Sequence, residues 1–142
     1  LCGNENDGSR GIAGAQNGSS TGGASLRASG SGSTMSADFQ LIAEGLIPAQ
    51  PGLFFQGDNM INGSLGVNFG DGLRCAGGSV IRLEIGFADS LGTVKTTGDL
   101  ILRGGVVAGD KKAFQIWYRD PNTSPCGSGF NLSNGVKGEF SP

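Results

Sequence analysis

The chain has 142 residues, 28 of them glycine, with 15% charged side chains, no histidine and a net charge of −2. Glycine at close to three times its usual ~7% describes one domain of extended segments and turns rather than helices. Without histidine there is no Ser-His-Asp or Cys-His arrangement, the scattered Lys and Arg leave no footprint for nucleic acid, and no apolar run approaches the ~18 residues of a bilayer span.

Residues 1–23 read as a polar, glycine-rich arm, and 24–142 as a β module. Within the module, Ala24 to Ser29 predicts a weak first strand around Leu26. Ser36 to Leu46 then places Phe39, Leu41 and Ala43 on one face. Past Pro51-Gly52, the run Leu53-Phe54-Phe55-Gln56 predicts a short buried strand, with both phenylalanines in the core. Asp58-Asn59 and Asn62-Gly63 mark turns. Val67 to Cys75 reads as two extended pieces around Gly70-Asp71-Gly72.

The clearest alternation comes next. Ile81, Leu83, Ile85 and Phe87 point one way, and Arg82 and Glu84 the other, toward solvent. Thr93 to Arg103, carrying Val94, Leu100 and Leu102, reads as a further strand. Gly109-Asp110 predicts a hairpin turn into Lys112 to Arg119, where Phe114, Ile116 and Tyr118 alternate with Gln115 and Trp117. Val136 to Phe140 closes the series, with Glu139 outward. No helix is predicted. Strands at this spacing define an all-β chain, a single antiparallel β-sandwich of jelly-roll or Ig-like type behind a glycine-rich extended N-terminal segment.

Four phrases stand in order along the second half of the chain: Gln50 to Gly57, Phe69 to Gly78, Gln115 to Pro121 and Ser124 to Gly135. Together they resemble a module that recurs, often near the C-terminus, in secreted proteins of environmental bacteria. The resemblance spans residues ~24–142 and implies export and an all-β domain; it brings no activity with it. Relatives with a Cys-Gly-Asn lead like Cys2-Gly3-Asn4 often carry another cysteine shortly after an Arg-Gly pair. Here Arg10-Gly11 is followed by Ile12, so the resemblance implies that Cys2 has lost its partner.

Low charge and abundant Gly, Ser, Asn and Thr also suit an exported bacterial protein, and the start at Leu1 suggests a processed form or a piece of something longer. In that compartment Cys75 and Cys126 are expected to form a disulfide, closing a ~50-residue loop for ~3–4 kcal/mol. Cys2 is then the odd thiol, free or bonded to another chain. For ligand binding the candidates are Trp117, Tyr118, Arg119, Asp120 and Asn122. An outward Trp117 would offer its flat indole to a pyranose; the competing reading packs it under a loop or against a neighbouring subunit.

Asp58, Asp71, Asp89, Asp99, Asp110 and Asp120 sit mostly beside Gly, Asn or Pro and read as turn residues. Asn4-x-Asn6-Asp7-Gly8 lacks the alternate acids and closing Glu of a calcium loop, so no cofactor is expected and Ca²⁺ is the one ion left open. No residue is assigned a catalytic role, and a hydrolase built on paired carboxylates ranks last.

The expected function is therefore that of a non-catalytic extracellular structural or adhesive module, secreted or on a bacterial cell surface. Its partners would be further copies of itself or other extracellular proteins, with neither nucleic acid nor membrane insertion. The arm, added as a strand to the next copy, would build a filament. The alternative is a carbohydrate-binding module that takes polysaccharide.

Overall fold

The computed structural model describes all 142 residues. The strands are β1 (Ser25–Ser29), β2 (Gln40–Glu44), β3 (Pro51–Gly57), β4 (Asn59–Met60), β5 (Val67–Phe69), β6 (Gly72–Arg74), β7 (Ala76–Gly77), β8 (Ile81–Phe87) and β9 (Val94–Lys95). A short helix α1 (Leu100–Gly104) precedes β10 (Lys111–Arg119), β11 (Phe130–Leu132) and β12 (Val136–Glu139). A three-stranded sheet in the order β1-β2-β9 faces a five-stranded one in the order β11-β10-β3-β8, where β12 also pairs with β10. Every strand pairing is antiparallel. The fold is all-β, of sandwich type.

The core lies between the two sheets. Leu26, Leu41, Ala43 and Val94 from the smaller sheet meet Phe54, Phe114, Ile116 and Tyr118 from the larger one. The Val, Leu, Ile and Phe side chains among them each contribute ~1.5–3 kcal/mol by leaving water. Both faces of the five-stranded sheet are used, because Phe55, Ala76, Ala113 and Leu132 form a second, smaller cluster on its outer side. The β5–β6 hairpin and the β4–β7 pair cover part of that outer face. Hence Gln115, expected to alternate outward, is fully buried. Its Oε1 accepts from the backbone N–H groups of Cys75 and Ala76, and its Nε2 donates to the carbonyls of Leu73 and Ser133.

Three expected elements differ. The run 93–103 forms only the two-residue β9 before α1: the Asp99 side chain accepts from Leu102 N–H as N-cap, and Gly105, at φ 61°, ends the helix in the left-handed region. Leu100 packs inward and Leu102 is exposed. Gly109-Asp110 therefore follows a helix and turns into no hairpin; Gly109 N–H instead meets the carbonyl of Phe140. In β8, Phe54 pairs with Glu84 and Phe55 with Arg82, so Leu83 is the extra residue of a β-bulge. Leu83 and Glu84 both lie opposite Phe54, on the core side. The Glu84 side chain, expected in solvent, is only 10% exposed and accepts from Arg103 at 2.9 Å.

The N-terminal arm forms no strand, yet it lies against its own module. Side-chain amides supply the bonds that a strand partner would. Asn4 Nδ2 donates to the carbonyls of Gln16 and Asp71, Asn17 Nδ2 to the Gly45 carbonyl and the Tyr118 hydroxyl, and Asn131 Nδ2 to the Gln16 carbonyl. Cys2 is joined to Cys126. This overturns both expectations for the cysteines. Cys126 N–H bonds Asp71, just before β6, whereas Cys75 follows the far end of that strand. Four extended residues span ~13 Å, beyond the ~7 Å that a disulfide bridges. Cys75 is left free and buried, and Cys2 bonds within the chain rather than to another.

Candidate functional site

Residues on the outer face of the five-stranded sheet follow from its register. Trp117 pairs with Leu53, and Leu53 with Ile85, so these three form a row across β10, β3 and β8. One row along stand Phe55 and Arg82; on the other side stand Pro51 and Phe87. The β5–β6 hairpin overhangs one end and turns Phe69 toward Trp117. Phe69 and Phe130 meet the indole edge-on, with ring centroids 5.7 and 5.6 Å away. Trp117 is half-buried, and its Nε1–H is enclosed without an acceptor.

Two depressions share Leu53 and Trp117. The first, of about 250 Å³, is lined by Leu53, Phe55, Phe69, Val80 and Trp117, with Arg74 and Arg82 as its only charged residues. The second, of about 170 Å³, runs past Ile85 to Arg119. The result is an aromatic trough with arginines at both ends.

Of the five ligand-binding candidates, the trough includes Trp117 and Arg119 on this face. Tyr118 also borders the second depression, but its ring is in the core and its hydroxyl accepts from Asn17 Nδ2 at 2.8 Å. Burial pushes the Tyr118 hydroxyl well above its usual pKa. Asp120 is fully buried as well, accepting from Gly18 N–H and the Thr123 hydroxyl, which pins the arm. Asn122 is exposed in the following turn. Tyr118 and Asp120 are thus structural, and the five do not make one surface.

Sequence reasoning missed Arg74 and Arg82, which β6 and β8 bring to Trp117 from other parts of the chain. The two signals present were the outward position of Arg82 in its alternation and the adjacency of Arg74 to a turn.

Of the six aspartates expected as turn residues, Asp89, Asp99 and Asp110 accept from backbone N–H groups within four residues, whereas Asp58, Asp71 and Asp120 bind groups distant in the sequence. Asp71 is fully buried and gathers the 120s loop: its carboxylate accepts from the Ser124 and Ser128 hydroxyls and from the amides of Cys126 and Ser128. Burial pushes this carboxyl up, but those hydrogen bonds outweigh it and hold it below its ordinary 3.8. Asp58 is held low by Lys112, 2.9 Å away, and by the Ser79 amide. Asp7, in the segment weighed as a calcium loop, accepts from Ser9 N–H and the Thr21 hydroxyl and sits at about 2. No three Cys, Asp or Glu side chains gather to hold a metal ion. Burial raises the Cys75 thiol, leaving it protonated and a poor nucleophile.

No helix is long and apolar enough to cross a membrane. No family model, curated protein or solved structure matches the chain.

Proposed function

We propose that this chain is a non-catalytic extracellular structural module that associates with a second copy of itself through the free edge of β8. The observation that carries this reading is the character of that edge. β8 pairs only with β3, and Ile85 and Phe87 stand on it at 67% exposure each. Natural proteins guard such edges with charge, proline or a covering segment. Of the two charges on β8, Glu84 is turned inward to Arg103, whose Nη1 also donates to the Leu83 carbonyl, so the stretch left without a charge of its own is Ile85–Phe87.

The opposite edge is divided and partly covered. β11 and β12 share the far side of β10, and the arm is bonded onto Asn131 of β11. Because the Cys2–Cys126 bond ties the arm to its own module, donation of that arm to a neighbour is disfavoured. Pairing β8 with β8 about a two-fold axis uses the same surface on both copies and closes as a dimer. A disulfide suits an oxidising compartment, in line with secretion or a cell-surface position.

Light scattering on the non-reduced protein is expected to give twice 14.3 kDa, and reductant should leave the pairing intact because the disulfide is intrachain. Ile85→Lys combined with Phe87→Lys should return the monomer without loss of the fold, since both side chains are exposed. A monomer at every concentration up to the solubility limit overturns the reading.

A further inference from the structure

Positive charge gathers in one place without acidic partners. Four ion pairs occupy Arg27, Arg103, Lys111 and Lys112. Of the other basic residues, Arg74, Arg82 and Arg119 all border the outer-face trough, and no acidic residue lines either of its depressions. Arg74 uses only its Nε, toward the Ala76 carbonyl at 3.2 Å. In a chain of net charge −2 this concentration is local and opposite in sign to the whole.

We infer that the trough binds an acidic polysaccharide, a sugar chain bearing carboxylates, with Trp117 and Leu53 as its floor and the arginines as carboxylate clamps. Three features converge on that chemistry. A guanidinium pairs with a carboxylate through two parallel hydrogen bonds, a geometry that an ammonium cannot reproduce. The Trp117 ring is fixed by Phe69 and Phe130, so little ordering cost is added when a sugar face settles on it. The depressions, about 250 and 170 Å³, are ring-sized, below the ~300 Å³ at which drug-sized pockets begin.

The length fits as well. Arg82 stands in the Phe55 row, and Arg119 lies beyond Trp117 toward Pro51. Four strand residues separate those rows, ~13 Å at ~3.3 Å per residue, the reach of a short oligosaccharide. A nucleic acid would bring a phosphate at every nucleotide to a net-negative chain, which three arginines do not balance. Pairing of β8 with another copy adds backbone bonds in the plane of the sheet and covers Ile85 and Phe87 at its rim, leaving the part of the outer face on β3 and β10, around Leu53 and Trp117, open.

The test is calorimetric titration of the full, non-reduced chain with an oligogalacturonate, its methyl ester and a single-stranded DNA homopolymer. The acid should bind, and more weakly as salt rises. The ester, which keeps the sugar shape and loses the charge, should bind at least tenfold more weakly. Arg82→Ala and Arg119→Ala alter exposed side chains and should each weaken binding several-fold with an unchanged melting temperature. Trp117→Phe keeps the aromatic packing and should weaken binding of the acid. The proposal is overturned by absence of binding, by equal binding of acid and ester, by tighter binding of the DNA, or by wild-type affinity in Arg82→Ala.

Discussion

Cys2 and Cys126 lie 124 residues apart in the sequence, yet their Cα atoms are 5.9 Å apart across a disulfide. Nearly the whole chain is enclosed in that loop. On the chain-entropy account, closing more than 100 residues removes ~4–5 kcal/mol of freedom from the unfolded state. Cys2→Ser is therefore expected to lower stability by about 3–5 kcal/mol, read from denaturant unfolding of the variant beside the non-reduced parent. Its arm should also become the first site of limited proteolysis. A variant with the parent's midpoint would refute the pairing.

Acid should loosen the same end of the molecule. Asp71 has its folded pKa depressed, so its contribution is fully present above the unfolded value, ~3.9, and is lost as pH falls through the folded value. Asp7 and Asp58 are depressed too and add to the same window. The melting temperature is expected to hold from neutrality to about pH 4 and to fall below it. Asp71→Asn presents an amide N–H to donors that need an acceptor and should cost about 2–4 kcal/mol at pH 7. Its melting temperature should decline less steeply below pH 4 than that of the parent.

Cys75 should be silent in the native protein. It is buried and its thiol is pushed up by desolvation. Titration with a thiol reagent is expected to find no reactive thiol in the folded, non-reduced chain and one per chain after denaturation. Finding none after denaturation would mean that Cys75 is paired.

Legibility in the sequence tracks how locally each feature is determined. The alternation of Phe114, Ile116 and Tyr118 identifies a strand because one face of β10 packs on the main core along its length. Gly70-Asp71-Gly72 marks its hairpin because the turn residues carry their own geometry. The alternation misleads at Glu84, since the bulge at Leu83 shifts the neighbouring residue onto the other face of the strand. It misleads again at α1, where Leu100 and Leu102 imitate a strand while Asp99 and Gly105 cap a helix. The Cys2–Cys126 bond and the meeting of Arg74 and Arg82 with Trp117 depend on register between distant segments, which periodicity does not carry. Of the trough, Trp117 and Arg119 are legible as residues of one face of one strand.

Gln115 tests the second layer directly. Alternation along β10 puts it on the face away from the main core, where a polar residue ordinarily meets water. Here the β5–β6 hairpin and Ser133 cover it, and its amide holds two N–H groups and two carbonyls of those covering segments. Gln115→Leu has similar volume and no polar atoms, so it would strand all four backbone groups in a dry interior. Each unsatisfied buried group costs about 1–3 kcal/mol, and even the low end summed over the set is a large share of a small domain's stability. The expected result is a loss of at least 3 kcal/mol, with hydrogen exchange accelerated first at Cys75 and Ala76. Gln115→Glu provides the contrast. It keeps the two acceptor contacts while losing the Nε2 donor and should be worse at pH 7 than at pH 4, where a protonated carboxyl can again donate. If Gln115→Leu unfolds at the parent's midpoint, water reaches this face and the layer is not closed.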